Sequence, residues 1–118
     1  MVKLTPTCQL ANYQWCVGNT VLVCSTIMGN TAQGLCDMVG NVWEWVLDEW
    51  HASYDGDPVN EQAWCSDIGI CNTNTSVNRV RRGSSFYLDS SYLHSTSRYR
   101  GAGDTCSDIG FRVSRSVP

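Results

Sequence analysis

The run Val42-Trp43-Glu44-Trp45-Val46 constrains the fold more than any other part of the chain. It is short and apolar, with one acid held between two indoles. Burying a lone carboxylate costs on the order of several kcal/mol, so Glu44 needs a cation, an arginine or a set of backbone donors. Asp37, seven residues upstream, and the carbonyls of the Val39-Gly40-Asn41 turn could make Glu44 half of an oxygen-rich metal cage. A buried Glu–Arg pair meets the same need, and the chain carries seven arginines.

The 118 residues suffice for one domain, residues 1–118, with a small core. Net charge is −3, and Arg79, Arg81 and Arg82 form the one basic cluster, on an expected strand. A nucleic-acid-binding stripe is therefore not expected. No apolar run approaches the ~18 residues of a membrane span. The start, Met-Val-Lys-Leu-Thr-Pro, lacks an apolar signal-peptide core, which leaves a cytosolic protein or one whose leader has been removed.

Seven cysteines are many for this length, and none forms a C-x-x-C pair of the zinc or thioredoxin kind. Cys65 and Cys71, Cys24 and Cys36, and Cys8 and Cys16 each flank a short loop that a bridge could close, with Cys106 left over. Bridged, they place the chain outside the cell or on its surface. Unbridged, they are buried thiols of a cytoplasmic protein.

Turn residues and one apolar run, Thr20–Cys24, suggest a single short strand before residue 34. The Trp-rich strand covers 41–50, and residues 51–78 form a long polar excursion, of a kind that is functional or covalently pinned. Strands resume at 79–82 and 109–115. There is no repeat and no long amphipathic helix.

Residues 86–108 contain no Lys, Glu, Gln, Met or Trp, whereas the other 95 residues contain sixteen. Chance alone gives such a gap on the order of one or two times in a hundred. The missing residues share a codon ending in purine, so a segment whose Asn codons were randomised at adenines could not encode them. Tyr87, Tyr92 and Tyr99 offer rigid amphipathic area. Ser, Asp and Arg offer adaptable hydrogen bonds, as in a paratope. The candidate contacts are Tyr87, Leu88, Asp89, Tyr92, Ser97, Tyr99, Arg100, Asp104, Ser107 and Asp108. An ordinary Ser/Tyr-rich loop, with tyrosines packed in the core, is the plain alternative.

Three segments carry a family resemblance. Gly34-Leu-Cys-Asp-Met-Val-Gly-Asn-Val-Trp-Glu-Trp45, Arg79-Val-Arg-Arg-Gly-Ser-Ser-Phe86 and Ile109-Gly-Phe-Arg-Val113 resemble, in order, three signatures of the formylglycine-generating-enzyme (sulfatase-modifying factor) superfamily. The resemblance implies an α+β, C-type-lectin-like fold, irregular and loop-rich, in a minimal or truncated form without the usual N-terminal half. It makes Phe86, Leu93 and Arg98 framework positions. It also implies a calcium site at Asp37 and Glu44 (side chains) and Gly40 and Val42 (carbonyls).

The family's copper thiolates fall on Leu88 and Leu93, and leucine ligates no metal, so copper oxidation is not expected. The branch that uses a three-histidine iron site is not matched either, because only His51 and His94 are present. Variable proteins of diversity-generating retroelements also use this fold, with their variable region between the second and third signatures, where residues 86–108 lie.

The expected function is non-catalytic recognition of a protein or cell-surface ligand through the 86–108 face, with a homo-oligomer as a further expectation. The alternatives are a divergent oxidase, an inactive relative that grips peptides in a cleft lined by Trp43 and Ser85, or a fragment of a larger assembly.

Overall fold

Four short strands make one sheet in the computed structural model, which describes residues 5–66, 71–103, 105–115 and 117. They are β1 (Trp43–Glu49), β2 (Arg79–Arg82), β3 (Arg98–Gly101) and β4 (Ile109–Gly110), in spatial order β3-β2-β1-β4. The β1/β2 and β2/β3 pairs are antiparallel, and β4 lies parallel to β1. Helical structure among the described residues amounts to two single-turn 3-10 helices, Ile27–Gly29 and Ser90–Tyr92. The sheet with its long loops is the irregular C-type-lectin-like arrangement expected from the signatures.

Two expected strands are corrected. Thr20–Cys24 is not a strand, because Asn41 takes the groups a neighbouring strand would use: its Oδ1 accepts from Val21 N–H (2.9 Å) and its Nδ2 donates to Val21 C=O (3.3 Å). Leu22 and Val23 then point into solvent, and Cys24 adopts a left-handed φ of 64°. The closing strand ends at Gly110, where the chain leaves the sheet and Arg112 reaches back to Glu44. Conversely, β3 forms inside the Ser/Tyr-rich stretch, where the composition had masked a strand.

The turn before β1 organises the molecule. Gly40 and Asn41 both take positive φ (80° and 64°), which glycine and asparagine tolerate better than other residues. A Cβ on Gly40 would lie 2.6 Å from the Asn12 carbonyl. That closeness lets Asn41 N–H donate to Asn12 C=O (2.8 Å) while Asn41 C=O accepts from Phe86 N–H (3.0 Å). The fold is thus clasped by buried amides as much as by its apolar core, which is Ala11, Tyr13, Trp43, Cys65, Val80 and Phe86.

The excursion after β1 is pinned at several points. Cys65–Cys71 is bridged, as are Cys8–Cys16 and Cys24–Cys36, while Cys106 is free and exposed. Buried Glu49 accepts from the N–H and hydroxyl of Ser66 and from Asn72 N–H, each the residue after a bridged cysteine. These donors, the Ser66 hydroxyl first, hold its pKa below the usual 4.5 against the opposing effect of burial. The Arg98 guanidinium sits over both Trp50 (4.5 Å) and Tyr54 (4.4 Å) and donates to His51 C=O.

Candidate binding cleft

Strand register builds the site. Trp45 faces Arg81 across β1/β2, and Arg81 faces Tyr99 across β2/β3, so the three side chains form one row on one face of the sheet. The Arg81 guanidinium lies 5.3 Å from the Trp45 ring and 5.4 Å from the Tyr99 ring, and it donates to Arg100 C=O at 2.9 Å. Trp43 shares that face by strand alternation, with its ring 6.3 Å from Tyr99. The loops 86–92 and 105–108 rise beside this row. Together they enclose an open cleft of about 230 Å³ lined by Trp43, Arg81, Leu88, Tyr92, Tyr99 and Asp108.

Asp108 is fixed from two directions. Its carbonyl accepts from Trp43 N–H (2.7 Å), and its carboxylate accepts from the hydroxyl of fully buried Ser85 (3.1 Å). The cleft therefore presents an anion and a cation on rigid supports between aromatic walls. This combination suits a planar or aromatic group that also carries polar atoms.

Four of the ten candidate contacts meet here: Leu88, Tyr92, Tyr99 and Asp108. Tyr87 is exposed but packs edge-on against Trp15 at 4.6 Å. Asp89 caps the Ser90–Tyr92 turn through Ser91 N–H (2.8 Å), and the Ser91 hydroxyl and N–H lower its pKa. Arg100 and Ser107 are exposed, Ser97 is half-buried, and none of the three lines the cleft. Asp104 lies outside the described residues. Sequence reasoning missed Arg81, although its place between Val80 and Arg82 in a strand signature was the available sign of a face opposite buried Val80. Arg79 and Arg82, the rest of the basic cluster, donate to Leu47 and Ser95 carbonyls, so these guanidiniums are turned toward the protein.

Glu44 has its own partner. Arg112 makes a two-pronged ion pair with both Glu44 oxygens and also donates to the carbonyls of Cys36 and Asp37, each at 3.0 Å. Glu44 in turn raises the Arg112 pKa. The Asp37 carboxylate accepts from Cys24 N–H (2.7 Å) and the Thr26 hydroxyl (3.0 Å). In this arrangement a calcium ion at Asp37, Gly40, Val42 and Glu44 would compete with Arg112, Cys24 N–H and the Thr26 hydroxyl for the carboxylate oxygens. Cys24, Cys36 and Asp37 also lie close together, but the two sulfurs are bonded to each other and offer no thiolate. Leu88 and Leu93, the positions of the expected missing copper ligands, line different hollows.

Residues 8–117 match the family model described as the sulfatase-modifying factor enzyme 1-like domain. The chain belongs to this family. Family relatives include the formylglycine-generating enzymes of Thermomonospora curvata (36% identity over 73 residues, 62% of this chain) and Mycobacterium tuberculosis (33% over 87 residues, 67%). This sulfatase-modifying-factor-like chain spans only 22% and 28% of their lengths. Among solved structures it is similar to PvdO from Pseudomonas aeruginosa, with a TM-score of 0.75 and 30% identity over 93% of this chain and 40% of that one. It is also similar to Treponema denticola variable protein 1, with a TM-score of 0.62 and 28% identity over 87% of this chain and 34% of that one. The three disulfides of this family member are compatible with an extracellular location. Among the described residues no helix is long and apolar enough to cross a membrane.

Proposed function

We propose that this domain is a non-catalytic binding module that recognises a protein or cell-surface ligand through the cleft and the exposed tyrosines of the 86–108 face. The observation that carries the reading is the meeting of Leu88, Tyr92, Tyr99 and Asp108 with Trp43 and Arg81 in one open hollow. Half-exposed tyrosines on a disulfide-braced frame supply contact area with little conformational entropy to lose. The likeness to a protein named for its variability supports reading the restricted alphabet of 86–108 as the product of targeted diversification.

The test is selection of binders to the oxidised chain from a displayed random-peptide library, followed by titration of the enriched peptides against Tyr92→Ala and Tyr99→Ala. Loss of one such anchor is expected to weaken binding at least ~10-fold, as for interface aromatics. Peptides indifferent to both substitutions, or no enrichment, would count against the cleft. The diversification part has its own readout in the DNA. A neighbouring repeat that differs from codons 86–108 only at adenines supports it, and the absence of any repeat removes it.

A further inference from the structure

Between Lys3 and Asp37 the sequence contains no charged residue. The fold turns much of this stretch outward: Leu22, Val23 and Ile27 are 84%, 76% and 74% exposed, and Met28, Leu35 and Met38 are also exposed. The Cys24–Cys36 bridge ties the 22–28 ridge to Leu35. Arg112, by binding the carbonyls of Cys36 and Asp37, lays exposed Phe111 and Val113 alongside. Summed residue by residue, these eight expose on the order of 1,000 Å². That area is close to the ~800 Å² each partner contributes to a stable complex.

A hollow adjoins the ridge. It measures about 850 Å³ and is walled by Leu10, Met28, Val39 and Leu93, with Met28 common to ridge and hollow. A ridge beside a hollow on one face is what an isologous pairing requires, because a two-fold axis sets each copy's ridge against the other's hollow. The 22–35 ridge itself carries no charge, so no like-charge repulsion within it opposes self-pairing. The hollow's far wall includes Ser90 and Ser91, from the 3-10 turn whose Tyr92 lines the cleft, so a partner seated there would brace the binding face from behind.

We propose that a second copy of this chain covers this face, forming a two-fold dimer. Sedimentation of the oxidised chain is expected to give twice the 13.1 kDa chain mass at about 100 µM, with a Kd near 1 µM or tighter. The double substitution Leu22→Asp with Ile27→Asp alters solvent-facing positions, so the chain should fold, with unchanged ultraviolet circular dichroism, yet its Kd should rise at least ~100-fold. Tyr99→Ala, on the cleft, should leave the mass unchanged. A wild-type monomer at about 100 µM overturns the proposal, including one that pairs instead with a different polypeptide. So does a dimer that survives the aspartates, or one abolished by Cys106→Ser.

Discussion

Replacing Arg112 by Met tests how the acid between the two indoles is held. The substitution keeps much of the apolar stem and removes the guanidinium. Four hydrogen bonds disappear: two to Glu44 and one each to the carbonyls of Cys36 and Asp37. A buried charged hydrogen bond contributes roughly 1.5–3 kcal/mol. The Arg112 side chain is 40% exposed and that of Glu44 20%, so screening reduces this to about 1 kcal/mol each. The expected loss is about 3–4 kcal/mol, from a domain stability of roughly 5–15 kcal/mol, or a fall in Tm of about 10–20 °C.

Urea and thermal unfolding followed by tryptophan fluorescence, with disulfides intact, would measure the loss. Glu44→Gln should lose less, about 1–2 kcal/mol, because Arg112 keeps both carbonyls and the glutamine still accepts. The double variant should fall short of the sum of the two. A loss under about 1 kcal/mol for Arg112→Met would refute the reasoning. A second arm uses calcium, the other way of neutralising Glu44. Saturation to about 100 times Kd adds about 2.7 kcal/mol to any protein that binds an ion only when folded. Since Arg112 holds the carboxylate, millimolar calcium should leave the wild-type Tm unchanged. A clear rise would show that a cation displaces the arginine.

Two further outcomes follow from the bracing of the excursion. Glu49 has a folded pKa below 4.5, so its contribution is present above pH 4.5 and is lost as pH falls through the lower folded value. Glu49→Gln should therefore cost about 1–3 kcal/mol at neutral pH and flatten the stability-against-pH curve below 4.5; an unchanged acid slope would contradict this. Alkylation of the native, unreduced chain should label Cys106 alone. Labelling at Cys24 or Cys36 would show that the bridge holding the 22–28 ridge, a loop closure contributing about 2–3 kcal/mol, has not formed.

What the sequence by itself determined is local. Cysteines separated by 8, 12 and 6 residues marked three loops that bridges could close, and the structure decided that they are bridged. The Trp-rich strand, expected over 41–50, forms as Trp43–Glu49, and three ordered signatures suffice for the fold. An exposed tyrosine face was legible from composition. The tertiary structure decided everything that depends on partners distant in the chain. Arg112 reaches Glu44 across 68 residues, and seven arginines were open to that role until the sheet placed one. Arg81 enters the cleft only because antiparallel register sets it between Trp45 and Tyr99. Thr20–Cys24 has the composition of a strand, but both backbone groups of Val21 are claimed by Asn41, an amide twenty residues away, and Cys24 N–H by Asp37. Residue type sets what a side chain can bond. Which bond forms depends on the neighbours that folding supplies, and for this loop-rich domain those neighbours lie mostly far along the chain.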